Sequence, residues 1–162
     1  MNRVTCERDG IPLSAVDLAM VADGATSKTA LSETTTLAHC ADQLGFARFW
    51  VAEHHNMSTV ASTSPAVLIA HLASVTKRIR VGSGGVMLPN HAPLVIAEQF
   101  AMLEALHPNR IDLGIGRAPG TSPSTALALR RSADAMSTED FPRQLLEVMG
   151  LLGDIRTPEG PW

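Results

Sequence analysis

The chain has 162 residues, of which 45% are hydrophobic and 18% charged, with a formal net charge of −3. That is enough for one sizeable core over residues 1–162, without the basic excess that nucleic-acid binding requires. Aromatics make up 4%, tyrosine is absent, and no apolar run approaches the roughly 20 residues of a membrane span.

The N-terminus MNRVTCERDG lacks the apolar centre of a signal peptide, and Cys6 and Cys40 fit neither a disulfide framework nor a zinc motif. The expectation is a cytoplasmic protein with reduced thiols. Leu13–Val21 (LSAVDLAMV) reads as a first strand interrupted by Asp17. A helix follows over Ala30–Leu44, with Leu37, Ala38, Ala41 and Leu44 on one face and Gly45 as its left-handed stop. Phe46–Glu53 is the second strand and runs into Glu53-His54-His55-Asn56. Ser64-Pro65 then opens a helix, AVLIAHLASV, that has no charged residue.

The stretch Arg78–His91 (RIRVGSGGVMLPNH) is the centre of the chain. Ile79, Val81, Val86, Met87 and Leu88 predict a strand buried on both faces, yet it contains Gly82, Gly84 and Gly85. Glycine inside a strand marks a bulge, or a close approach by a ligand or another backbone. Both readings stand: a packing bulge, or a bare backbone on which a flat ring could lie. Pro89 stops the ladder, and Asn90 or His91 is expected to cap a helix over Pro93–Leu106. Arg110–Gly116 (RIDLGIG) is the fourth strand and leads into Arg117-Ala118-Pro119-Gly120. A short helix at Thr125–Arg131 and a longer one at Asp140–Leu152 complete the pattern. In the latter, Phe141, Leu145, Val148, Met149 and Leu152 share a face, and the tail at 154–162 is expected to be loose.

Strands recurring about every 31–34 residues, each followed by a helix, predict parallel βα units with right-handed crossovers. Four such units are half of a (β/α)8 barrel, whose usual length is roughly 250 residues; an open four-stranded sheet is the alternative. The polar residues fall where strands end, the edge at which such folds build their sites. There, His54 could act as a general base or hydrogen-bond donor, or merely tie down a loop. A metal site is not expected, because adjacent strand residues such as His54 and His55 point to opposite faces and HExxH is absent. Gly114-Ile115-Gly116 is not a dinucleotide fingerprint, since position 119 is proline. Arg117 is a natural anion partner that Arg130 and Arg131 could join, though these are equally read as solvated loop arginines.

In order and spacing, FWVAEHHNM, SPAVLIAHLAS, RIRVGSGGVMLPNHAPLVIAEQF and RIDLGIGRAPG resemble the bacterial luciferase-like flavin monooxygenases, from about Leu13 to Arg131. The resemblance implies a (β/α)8 TIM barrel, here an α/β half-barrel of about four βα units. It also implies chemistry with reduced FMN and oxygen on paired donors, a small organic substrate, and flavin supplied by a separate reductase. Some relatives use a deazaflavin instead, a less expected cofactor here. By position, Gly84-Gly85 would hold a non-proline cis peptide against the flavin ring, with Val86 beside it. His54, seconded by His55, would be catalytic, and Arg117 and Arg130 would meet the flavin phosphate. The family pairs through the helices at 65–76 and 93–106, so a homodimer is expected, with Leu68 as a probe of that surface. Relatives run about twice this length, which implies either a truncated enzyme or a non-catalytic flavin-binding or interaction protein.

Overall fold

The computed structural model describes residues 7–8, 11–130 and 140–153. A small antiparallel pair, β1 (Glu7–Arg8) and β2 (Ile11–Pro12), precedes the main sheet. That sheet is parallel, in the order β3 (Ser14–Asp17), β4 (Arg48–Val51), β5 (Arg80–Met87) and β6 (Ile111–Gly116). Between the strands run α1 (Ser27–Gln43), α2 (Pro65–Val75) and α3 (Pro93–Leu106), and α4 (Pro123–Arg130) and α5 (Phe141–Leu151) follow β6. These are four βα units of the (β/α)8 type. The expected tail at 154–162 and Arg131 lie outside the described residues.

Strand alternation divides the sheet into two unlike faces. Phe49, Val51, Val81, Val86 and Ile111 point toward the helices and meet Ile69, Leu72, Ile96, Phe100 and Leu103 in one core. The opposite face carries Arg48, Trp50, Arg80 and Asp112. Asp112 accepts from Arg48 Nε at 3.1 Å, Trp50 Nε1 at 3.3 Å and Arg80 Nε at 2.8 Å. Burial alone would push its carboxyl up, but the bonds from Arg80 and Trp50 and the two guanidinium charges hold it below its usual value.

Several expectations change in detail, each for a local reason. The first strand ends at Asp17 rather than Val21, because the Asp17 carboxylate accepts from Ala19 N and Thr34 Oγ1, and Ala19 turns at φ 52°. On α1 the covered residues are Ala30, Thr34, Ala38, Ala41 and Asp42, while Leu37 and Leu44 are exposed. On α5 Val148 and Leu151 are buried, and Met149 and Leu152 face outward. Neither Asn90 nor His91 caps α3; its N-cap is Ala92, and Leu88–Asn90 form a 3₁₀ turn. Asn90 instead gives its amide to Pro119 O, and His91 turns to Glu53. Gly45 does supply the left-handed residue after α1, at φ 77°.

Two side chains stitch the far ends of the units. Asp42 accepts from the backbone N–H groups of Lys77, Arg78 and Ile79, at 3.0, 3.0 and 2.8 Å. Arg110 donates to the carbonyls of Ala73 and Thr76, at the end and cap of α2 where the helix cannot satisfy them itself, and to that of Ile79 just before β5.

Candidate functional site

The glycine stretch of β5 is a bulge. Its register against β6 shifts between Ser83 and Val86, and the peptide bond Gly84–Gly85 is cis, at the position the resemblance implied. The Ser83 hydroxyl enters the gap, donating to Gly114 O at 2.9 Å and accepting from Gly114 N at 3.1 Å. Both glycines have a packing reason. A Cβ on Gly84 would stand 3.0 Å from the Trp50 ring, and one on Gly85 would stand 2.9 Å from Gly114 O and 3.0 Å from Gly116 N. Val86 is 1% exposed and its side chain belongs to the core, so only its backbone is available at this edge.

The chain leaves β4 into Ala52, Glu53, His54 and His55. Backbone bonds from His54 N to Ser62 O and from His55 N to Gly120 O clamp this loop, and Thr121 Oγ1 donates to His55 O. Glu53 is fully buried. Its Oε1 accepts from His55 Nε2 at 2.6 Å and His91 Nε2 at 2.8 Å, and its Oε2 accepts from Met87 N at 2.9 Å. Desolvation opposes the charge, but the hydrogen bonds from His91, His55 and Met87 win and hold the carboxyl below its usual value. One carboxylate thus joins the end of β4, the end of β5 and the turn into α3.

Glu53, His55 and His91 have ligating atoms within 4.8 Å of one another, a donor set that a metal ion could use. The 2.6 and 2.8 Å contacts are nevertheless hydrogen-bond lengths. Two ligands on one tetrahedral zinc stand about 3.3 Å apart. As arranged, the three groups satisfy each other.

His54 differs from its neighbours, for its Nδ1 is buried and has no partner among the described residues. Asn90 Oδ1, across the same edge, is in the same condition. Arg117 lies exposed at the end of β6, and Arg130 is the last residue of α4. The structure therefore brings His54, His55, Gly84, Gly85 and Arg117 to the ends of three neighbouring strands. Sequence reading missed Glu53 as their hub and His91 as its third partner. The signal was present, because both lie at strand ends, but nothing in the spacing links residue 53 to residue 91.

No helix among the described residues is long and apolar enough to cross a membrane. A crystal structure of apo-MsnO8 superposes with a TM-score of 0.84 at 43% identity, covering 93% of this chain and 48% of that one. The FMN complex of the oxygenating constituent of 3,6-diketocamphane monooxygenase from Pseudomonas putida shares the fold at a TM-score of 0.70 and 21% identity, over 85% of this chain and 37% of that one. Among relatives, the luciferase-like monooxygenase of Escherichia coli K12 is 48% identical over 91% of this chain and 44% of its own length. The flavin-dependent trigonelline monooxygenase, oxygenase component, of Acinetobacter baylyi is 35% identical over 63% of this chain and 28% of its own. The chain thus spans under half the length of the relatives it matches. The luciferase-like monooxygenase profile matches residues 13–152, and the chain belongs to that family.

Proposed function

We propose that this chain supplies the flavin-facing half of an FMN-dependent monooxygenase of the cytoplasm that acts on paired donors. One atom of oxygen enters a small organic substrate and the other leaves as water, the electrons coming from reduced FMN. The observation that carries the reading is His54, whose buried Nδ1 lacks a partner among the described residues, in the loop that follows β4, the strand paired with the one that holds the cis Gly84–Gly85 peptide. An orphaned polar atom at that edge suits a polar ligand.

The residues present fit such a cofactor. The Gly84–Gly85 peptide and the Val86 backbone would offer the surface for the ring, and Arg117, exposed at the end of β6, would meet its phosphate, with Arg130 as the second candidate. The bound flavin would supply electrons and activate oxygen. His54 would hold or deliver a proton at its buried Nδ1. The FMN complex and the oxygenase-component relative support FMN as the cofactor and a separate reductase as its source. The apolar outer faces of α2 and α3 support a homodimer, for Val67, Leu94, Val95, Met102 and Leu106 are all exposed there.

Titration with FMN, followed by fluorescence quenching, tests the reading. With only part of the phosphate grip described here, binding is expected in the micromolar range or weaker, no more than roughly 8 kcal/mol. Nanomolar binding by a monomer would overturn the half-site. With reductase, NADH and oxygen added, His54→Ala should lose more turnover than His55→Ala, and equal loss would count against His54. Flavin bound without oxygen uptake beyond that of the reductase alone would favour a non-catalytic flavin-binding protein.

A further inference from the structure

We propose that Glu53 is the positioning residue of this site, its one carboxylate holding His55 and His91 together as Nε2–H donors. Among the described residues at this edge, His54 Nδ1 is the buried ring nitrogen without a partner. The argument starts from the inventory of donors and acceptors. An ionised carboxylate only accepts, so each group aimed at it must bring a hydrogen. Met87 brings a backbone N–H to Oε2. That leaves Oε1 facing His55 Nε2 and His91 Nε2, and both nitrogens must therefore carry a proton. A protonated Oε1 would donate to one imidazole and accept only weakly from the other, whereas the ionised carboxylate accepts from both.

Burial makes the arrangement strict. Glu53 is fully covered, so an unmatched group there bears a desolvation cost that an exposed carboxylate would not. The neighbouring backbone is equally committed, since a Cβ on Gly120, which turns at φ +64°, would lie 2.8 Å from Glu53 O. An imidazole whose Nε2 already carries a proton has no lone pair there with which to accept another. His55 and His91 are accordingly excluded as bases through Nε2, whereas His54 Nδ1 is committed to no partner among the described residues. The same carboxylate fixes the loop bearing His54 against Met87, two residues beyond the cis peptide. The tautomers follow from the hydrogen bonds alone, whereas their service to a reaction rests on the flavin reading above.

The test is a long-range proton–nitrogen correlation spectrum of the chain with 15N-labelled histidine, recorded above neutral pH without flavin. His55 and His91 are expected with Nε2 protonated and Nδ1 bare. Either ring found as the Nδ1–H form would overturn the proposal, whatever the flavin titration shows. Glu53→Gln gives an independent arm, because an amide has one oxygen and one NH2 and cannot accept on both sides. Either the Met87 amide exchanges at least about tenfold faster with solvent, or the two rings switch to the Nδ1–H form. A folded Glu53→Gln chain unchanged in both respects would also overturn it. If that variant does not fold, the wild-type spectrum alone decides.

Discussion

Asp42 shows how much one buried carboxylate can organise. Three successive backbone N–H groups, of Lys77, Arg78 and Ile79, converge on it just before β5 begins, so α1 sets where the glycine strand starts. Asp42→Ala leaves those donors unanswered and should cost about 3 kcal/mol in urea unfolding, within the range for losing a network of charge-assisted bonds. Desolvation opposes its ionisation, but the three backbone bonds and Arg78 hold the folded-state pKa below the ordinary aspartate value of 3.8. The sign follows. A depressed carboxylate contributes stability that is fully present above pH 3.8 and is lost as pH falls through the lower folded value. Acid titration of the unfolding free energy should show a shallower loss below that pH in Asp42→Ala than in wild type. A parallel loss in both would remove Asp42 from the account. None of this was legible in the sequence, where Asp42 reads as one more polar helix position between Ala41 and Gln43. Polar residues in a periodic pattern say only that a face is wet, and the partners of Asp42 lie some 35 residues away along the chain. Glu53 was hidden for the same reason, although its neighbours His54 and His55 drew the eye.

At the scale of elements, the bulge in β5 was the most legible feature, because glycines inside an otherwise apolar strand have few explanations. What the pattern could not decide was which neighbour each glycine accommodates. Gly85 lies against the backbone of β6, which cannot yield without breaking the ladder, whereas Gly84 lies against the Trp50 side chain. Gly85→Ala should therefore destabilise the chain by about 2–3 kcal/mol and Gly84→Ala by about 1 kcal/mol, read from thermal or urea unfolding. The reverse order would mean that Trp50 is the less yielding neighbour. Helix spans were read closely, since α2 and α3 open on prolines that fix their starts. Helix faces were read less well. On α1 the sheet-facing stripe is built from alanines and Thr34, while Leu37 and Leu44 stay outside, so the bulkiest residues did not mark the buried side.

For the whole molecule, the parallel βα rhythm was visible in the spacing of the strands, and the family likeness added the barrel type. The proposed dimer needs a sharper probe than the sequence offered. Leu68, expected on the pairing surface, is 8% exposed and belongs to the core, whereas Val67 beside it is 69% exposed. Leu68→Glu would therefore unfold the chain and say nothing about association. Val67→Glu should halve the mass seen by light scattering at micromolar concentration with the fold intact, and a wild type already monomeric would remove the pairing surface. The opposite side of the sheet carries a different message. Arg48 and Arg80 meet there on the single carboxylate of Asp112, with Trp50 alongside. Two positive charges against one negative leave that cluster one charge out of balance. Any surface laid over it must either bring hydrogen-bond acceptors of its own or leave Arg48, at 41% the more exposed of the two side chains, in water. This face of the sheet thus asks for a cover rich in acceptors rather than a purely apolar one.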